Sequence, residues 1–162
     1  MSNRTHPRSA GLLVFRRAAG PSGGIELLLA HPGGPLWARK DDGAWSIPKG
    51  LVESGEDDAT AARREFAEEI GQPAPDGELI DLGEVRLAGG KRVVAFGVAG
   101  DLDVGVVEST TFEMVWPPRS GRRQSFPEID RADWFSPAEA VRKLNPAQGV
   151  FIARLVAVAG QP

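Results

Sequence analysis

The stretch Gly50 to Gln72, GLVESGEDDATAARREFAEEIGQ, decides how the chain is read. Its first part is a loop in which Gly50 and Gly55 let the backbone fold back, and its second part is a helix, predicted over Asp57 to Ile70. Asp57 and Asp58 suit the positive N-terminal end of a helix, Ala59, Ala62, Phe66 and Ile70 form one apolar stripe, and Gly71 followed by Pro73 supplies the stop. Glu65, Glu68 and Glu69 are then spaced i, i+3 and i+4, which gathers three carboxylates on one face, away from Phe66. Within this helix Arg64 pairs only with Glu68, so the cluster is under-compensated and a bound cation would relieve it. Oxygen donors of this kind suit the hard ions Mg²⁺, Mn²⁺ and Ca²⁺. Glu53 and Glu56, in the preceding loop, can aim further oxygens at the same face. On spacing alone, a solvated acidic helix face is an equally good reading.

Upstream, Ala10 to Arg16 and Ile25 to Ala30 are short apolar runs separated by Gly20 to Gly24, as expected for two strands joined by a turn. His31 to Ala44 is rich in Gly and Pro and reads as a long exposed loop, with His31 a loop residue at a strand end. Trp45 to Ile47 reads as a short strand ended by Pro48. Downstream, strands are expected at Leu79 to Leu87, Arg92 to Ala99, Thr111 to Trp116 and Ile129 to Phe135, with a basic loop from Pro117 through Arg119, Arg122 and Arg123. Ser136, Pro137 and Glu139 form a capping box for a helix to Leu144, and a last helix from Pro146 is expected to bury Val150 and Leu155. Strands surrounding one central helix, with helices at the end, point to a layered α+β or α/β domain.

The 162 residues suffice for one domain over 1–162, with 1–8 expected as a flexible lead-in. Hydrophobic content of 41% and charged content of 25% match an ordinary folded protein rather than a disordered or membrane one. The absence of cysteine removes disulfides, thiolate metal sites and cysteine nucleophiles, leaving oxygen or imidazole as metal donors. No apolar segment approaches a signal h-region or a membrane span, so a cytoplasmic location is the expectation. A net charge of −3 offers no global basic field for duplex nucleic acid. A homodimer is a prior only.

Gly50, five residues, Glu56, seven residues, then Arg64-Glu65-Phe66-Ala67-Glu68-Glu69-Ile70-Gly71 closely resembles the Nudix box, G-x5-E-x7-R-E-U-x-E-E-x-G-U, where U is bulky and apolar. Only the last position departs, with Gln72 in place of an apolar residue. The resemblance implies an α/β/α sandwich with a mixed central sheet and a loop-helix-loop catalytic motif. It further implies that Glu65, Glu68 and Glu69 face catalytic Mg²⁺ or Mn²⁺, that the Gly50 carbonyl and Glu56 add to the metal set, and that Arg64 orients a box glutamate. Glu65 is the first choice for general base, and because such enzymes also draw bases from outside the box, Glu113 and Glu128 remain candidates. The implied reaction is hydrolysis of a phosphoanhydride, in which metal ions neutralise charge on the phosphates.

Trp45-Ser46-Ile47-Pro48-Lys49-Gly50 resembles the Pro-Lys-Gly lead-in of dinucleoside polyphosphate and diphosphoinositol branches, so Lys49 is expected beside phosphates. The segment from Pro117 to Trp134 resembles a little-characterised bacterial group of predicted nucleotide pyrophosphohydrolases. Arg119, Arg122 and Arg123 are candidates to clamp distal phosphates, and Trp37, Trp45, Trp116 and Phe126 to stack a base, there being no tyrosine. For Trp45 and Trp116 core packing is the competing role. The favoured substrate is a nucleoside diphosphate linked to another moiety, a dinucleoside polyphosphate first. The alternatives are a sanitising nucleoside triphosphate pyrophosphohydrolase, a non-catalytic nucleotide sensor, and an acidic-helix protein that binds calcium structurally.

Overall fold

A computed structural model describes residues 7–19 and 23–159. The strands are β1 (Arg8–Arg17), β2 (Ile25–Pro32), β3 (Lys49–Leu51), β4 (Ile80–Arg86), β5 (Arg92–Ala99), β6 (Thr111–Val115), β7 (Arg123–Pro127) and β8 (Ile129–Phe135). The helices are α1 (Asp58–Ile70), α2 (Pro137–Lys143) and α3 (Gly149–Ala159). Six strands form one mixed sheet in the order β4-β5-β1-β2-β8, with β3 pairing β1 beside that path, while β6 and β7 form a separate two-stranded sheet. The β1–β5 pair is parallel and the others are antiparallel.

The sheet is covered on both faces, which is why β1 reads as a continuous apolar run. Leu12, Val14, Leu28 and Ala30 point to one side and pack with Phe66 and Ile70 of α1. Leu13, Leu27 and Leu29 point to the other and pack with Phe151, Ile152 and Leu155 of α3. This is the α/β/α sandwich with a mixed sheet that the sequence resemblance implied.

Strand β1 is shared along its length. Its outer half, at Phe15 to Arg17, pairs with β2, and its inner half, at Ser9 to Gly11, pairs with β3. The sheet therefore splays at β1 and admits the Lys49–Leu51 segment next to α1. Helix α1 begins one residue later than predicted, because Asp57 is its cap: the Asp57 carboxylate accepts from the Thr60 N–H, and Gly71 closes the helix in the left-handed conformation, at φ 78°, donating to the Ala67 carbonyl. Its buried stripe is Ala61, Ala62, Phe66 and Ile70; Ala59 stays partly exposed.

Several expectations are corrected. Trp45 to Ile47 makes isolated bridges to Ala30 and Leu144, and the strand begins only after Pro48, because β1 offers its free edge to Lys49–Leu51. The basic loop is shorter than expected, since Arg123 opens β7 and pairs with Val115. Val150 is partly exposed and Phe151, Ile152 and Leu155 do the packing in α3. His31 is fully buried within β2, with Nδ1 against the Asp130 carboxylate at 2.8 Å and Nε2 against the Lys40 carbonyl at 2.6 Å. The expected flexible lead-in lies outside the described residues for 1–6, whereas Arg8 is already in β1 and pairs with Asp58 at 2.8 Å. Among the described residues no helix is long and apolar enough to cross a membrane.

Candidate active site

The charged face of α1 is organised by Arg64. Its Nε and Nη2 make a fork on Glu56, both bonds 2.8 Å long, and Nη2 also reaches the Leu51 carbonyl at 3.0 Å. Its Nη1 bonds Glu65 at 2.8 Å and approaches Glu68 at 3.3 Å. The helix face is therefore better compensated than its i, i+4 spacing suggested, since Arg64 reaches the adjacent Glu65 and also leaves the helix to hold the loop. The guanidinium beside Glu56, helped by the Glu53 N–H, lowers that carboxyl to about 2. Arg64 in turn is held more firmly protonated, chiefly by Glu56.

Glu65 and Glu69 both shift the opposite way from Glu56. Burial raises the Glu65 carboxyl above its ordinary range; Arg64 pulls it down, while Glu68 and Glu56 push it up. Burial pushes Glu69 up to about 8, against the pull of the Lys49 N–H, with Glu65 and Glu128 adding to the rise. The Lys49 N–H donates to the Glu69 carboxylate at 3.1 Å. Two desolvated carboxyls pushed up by neighbouring carboxylates are a donor set that a hard divalent cation suits. Among the described residues no three carboxylate or imidazole side chains close into a preformed cage, because Glu65 and Glu68 point at Arg64 and Glu69 at Lys49.

Gly50 has a role that conformational freedom does not explain. Its φ is not in the positive range, unlike that of Gly55 at 79°. What it provides is space: a Cβ at Gly50 would run into the carboxylate of Glu65. Strand β3 thus lies directly against the carboxylate face of α1, with the main chain at Gly50 and the Glu65 carboxylate in contact.

Beyond the box, the chain after the helix carries Glu128 into the same place. The Glu108 N–H donates to Ile70 O and the Thr110 N–H to Glu68 O, satisfying the last carbonyls of α1. The Glu128 N–H then donates to Thr110 O, and Ser109 Oγ bonds the main chain at Ile129. Glu128 consequently lines a groove with Lys49 and Glu69, a cavity of about 250 Å³ that also touches Trp37, Asn145 and Gln148. Gln72, the departure from the motif, turns its amide to the Asp103 carbonyl at 2.9 Å, away from the carboxylates.

Other sequence candidates lie elsewhere. Side chains alternate along β6, and Phe112 and Met114 line an adjoining cavity, so Glu113 points to the opposite face, exposed and 3.6 Å from Arg123. As a general base Glu113 is thereby misplaced. Arg119, Arg122 and Arg123 are exposed at and beside the turn of the β6–β7 hairpin, and none of them lines the groove. Trp45 is 3% exposed, its indole N–H donates to Asp41, and its ring packs edge-on against His31 and Phe135. It is a core residue, although it also borders the groove. Phe126 sits half-buried on β7 beside Phe112, with ring centroids 6.0 Å apart. Lining residues that the sequence reading did not single out include Asn145 and Gln148 in the groove and Phe112 and Met114 in the adjoining cavity. The apolar alternation Phe112-x-Met114-x-Trp116 was the available signal for the last two.

The family profile for the NUDIX domain matches residues 5–155. Among solved structures, the chain is similar to a Caenorhabditis elegans Ap4A hydrolase in a binary complex, at 23% identity and TM-score 0.63, covering 93% of this chain and 96% of that one. It is similar to a mutT/nudix family protein from Listeria innocua at 17% identity and TM-score 0.61, covering 95% and 94%. It is also similar to the NUDIX domain of Shewanella oneidensis NrtR complexed with ADP ribose, at 13% identity and TM-score 0.63, covering 95% and 88%.

Proposed function

The chain belongs to the Nudix family and is a Nudix hydrolase, and we propose that it hydrolyses a phosphoanhydride in a nucleoside diphosphate linked to another moiety, with dinucleoside polyphosphates as the favoured class. Nudix hydrolases generally use divalent metal ions. In this reading Glu65, Glu68 and Glu69, the Gly50 carbonyl and Glu56 form the set that holds Mg²⁺ or Mn²⁺, and residues 1–162 act as one domain. The ion, when bound, neutralises phosphate charge and lowers the barrier to attack by water.

The observation that carries the proposal is the junction at Lys49–Gly50: the main chain of β3 touches the Glu65 carboxylate and also donates to Glu69. One strand edge thus places Lys49 and Glu69 at one groove, with Glu65 held against the same strand at Gly50. Lys49 attracts the anionic polyphosphate to the end of the groove where Glu69 lies. Glu65, whose proton affinity is raised by burial, takes a proton from the attacking water as general base. Arg64 positions Glu65 and ties the loop at Glu56 and Leu51 to the helix. Glu128 is the second candidate base, supported by its place in the same groove. Water adds to one phosphorus, the bridging oxygen leaves with its phosphate, and two phosphorylated products form.

The fold does not choose among substrates, because the Ap4A hydrolase and the ADP-ribose-bound NUDIX domain share it. The dinucleoside polyphosphate preference rests on Pro48-Lys49-Gly50 and on Lys49 lining the groove. A panel of dinucleoside polyphosphates, nucleoside triphosphates, nucleotide sugars and diphosphoinositol phosphates, run with and without Mg²⁺ or Mn²⁺, tests it. Preferential cleavage of a nucleoside triphosphate moves the assignment to a sanitising enzyme, and turnover of no panel member moves it to a nucleotide sensor.

A further inference from the structure

Ile47 sits where the chain steps from one strand to another. Ser46 exchanges two main-chain bonds with Ala30 of β2, at 2.8 and 2.9 Å, and the Pro48 carbonyl accepts from the Leu12 N–H of β1 at 3.0 Å. Between them, Ile47 makes no main-chain hydrogen bond to any described residue. Gln148 takes the place of the missing strand. Its Oε1 accepts from the Ile47 N–H at 3.1 Å, and its Nε2 donates at 3.1 Å to Ser46 Oγ, which in turn donates to the Ile47 carbonyl at 2.8 Å. One carboxamide thus satisfies both main-chain groups of Ile47, the carbonyl through Ser46. Gln148 is 1% exposed and, with His31, one of two buried polar residues among those described. A polar group that deep is costly unless it is bonded, and here its partners are main-chain groups that would otherwise be orphaned.

The side chain is rigidly aimed. Gln148 ends a single turn of 3₁₀ helix, Pro146–Gln148, capped by the Asn145 side-chain oxygen, which accepts from the Ala147 N–H at 3.0 Å. The Asn145 N–H donates to the Trp45 carbonyl and the Trp45 N–H to the Lys143 carbonyl, so the main chain ties this turn to the Trp45–Ile47 segment as well. The Ile47 side chain is buried against β1, where a Cβ at Gly11 would stand 2.6 Å from Ile47 Cδ1. Pro48 then fixes its own φ and restricts the residue before it. The placement of Ile47 is therefore passed on to Lys49, whose N–H donates to Glu69, and to Gly50, whose main chain touches Glu65.

We propose that Gln148 is a positioning residue for the reaction: by holding Ile47 it sets the Lys49 N–H on Glu69 and the Gly50 main chain against Glu65, and so governs how well those carboxylates take up a divalent ion. The inference rests on the proposed reading that Glu65 and Glu69 belong to the metal set. Gln148 comes from the α3 side of the sheet and Glu69 from the α1 side, and both line the groove that contains Lys49. The β3 lead-in is clamped between them, by the Ile47 N–H on one side and the Lys49 N–H on the other.

The test compares the wild-type protein with Gln148→Met, Gln148→Glu and Leu155→Val, the last a control that loosens the same core without touching Ile47. Amide hydrogen exchange in metal-free protein reads the position of Lys49, calorimetric titration with Mn²⁺ alone reads the carboxylates, and kcat and KM on the best panel substrate read the reaction. Gln148→Met fills the space but cannot bond Ile47; it is expected to lose on the order of 10-fold in Lys49 N–H protection, in Mn²⁺ affinity and in kcat, with KM within about 3-fold of wild type. Gln148→Glu keeps an acceptor for the Ile47 N–H and is expected to keep the protection and most of kcat while raising KM, because it adds a negative charge to a groove that receives a polyphosphate. Leu155→Val is expected to match wild type in all three readings. Unchanged Lys49 exchange in Gln148→Met overturns the proposal whatever the reaction, and so does lost protection without loss of Mn²⁺ affinity or kcat, or an equal loss in Leu155→Val. A kcat that falls in Gln148→Glu while Lys49 stays protected overturns it too, since Nε2 would then act on the substrate directly; if Gln148→Met does not fold, this variant decides alone. Wild-type Mn²⁺ affinity in Glu69→Gln refutes the metal set instead, and leaves the hold on Lys49 to be judged by exchange.

Discussion

Replacing Gly50 by alanine is the sharpest probe of how this site is built. The backbone there is outside the left-handed region, so alanine meets no conformational strain and the substitution acts through its one added carbon. That carbon would stand 2.6 Å from Glu65 Oε1 and nearer still to Oε2, whereas real Cβ contacts essentially never fall below 3.0 Å. The Glu65 carboxylate has to retreat, and its 2.8 Å bond to Arg64 goes with it. A displacement of about 1 Å in a positioned catalytic group costs on the order of 10²-fold in rate, whereas stability changes little, because what must move is the far end of a flexible side chain. The assay is kcat at saturating Mg²⁺ on whichever panel substrate the wild-type protein cleaves best, with thermal unfolding alongside. Because the effect runs through Glu65, Gly50→Ala should add little to kcat loss in a Glu65→Gln background. A wild-type kcat in Gly50→Ala, or full multiplication of the two losses in the double variant, would refute the contact between β3 and Glu65 as a determinant of catalysis.

Glu69→Gln should lower kcat by on the order of 10²-fold or more while far-UV circular dichroism stays native; an unchanged rate would remove Glu69 from the metal set. The same variant has a pH signature in metal-free protein. The folded carboxyl is raised from 4.5 to about 8, so the folded state keeps a proton that the unfolded state releases, and this contribution to stability is full below pH 4.5 and lost as pH rises to about 8. The stability difference between wild type and Glu69→Gln should therefore change across that window in denaturant titrations, and parallel curves would contradict it. Glu113→Gln and Arg123→Ala should leave kcat/KM within about 2-fold, as expected of exposed residues off the groove; a tenfold loss would return the hairpin's outer face to the site. Phe66→Ala should cost roughly 3–5 kcal/mol in chemical unfolding, since Phe66 is fully buried between α1 and the sheet; a cost under about 1 kcal/mol would mean that α1 is not seated as described.

Local chemistry explains what was legible beforehand. Helix α1 could be placed to within one residue because its signals are short-range: a side-chain cap at Asp57, a left-handed stop at Gly71 and a buried stripe at helical spacing. The same short range explains the errors. Nothing near Trp45 states that β1 has an open edge only for the residues after Pro48, so the strand was placed four residues early at its start. His31 looked like a loop residue because its partner Asp130 is 99 positions away. Glu113 and Glu128 were indistinguishable as carboxylates in similar surroundings; the tie between Thr110 and Glu128 brings one to Glu69 and alternation along β6 turns the other outward.

The sequence by itself determined the family, through the resemblance of Gly50 to Gly71 to the Nudix box, and it determined that three carboxylates share one helix face, because local geometry dictates that spacing. It also determined the layered fold, through runs of apolar residues whose period declares strand or helix. Only the tertiary structure decided which residues outside that motif meet it. The groove and its adjoining cavity combine β2, β3, α1, β6 and the loop before α3, segments separated by more than a hundred positions at the extremes. Their meeting depends on sheet order and side-chain direction, and no pattern within one segment encodes either. Gly50 shows both levels at once: the motif marks it, and only packing against Glu65 reveals that the missing side chain is the point.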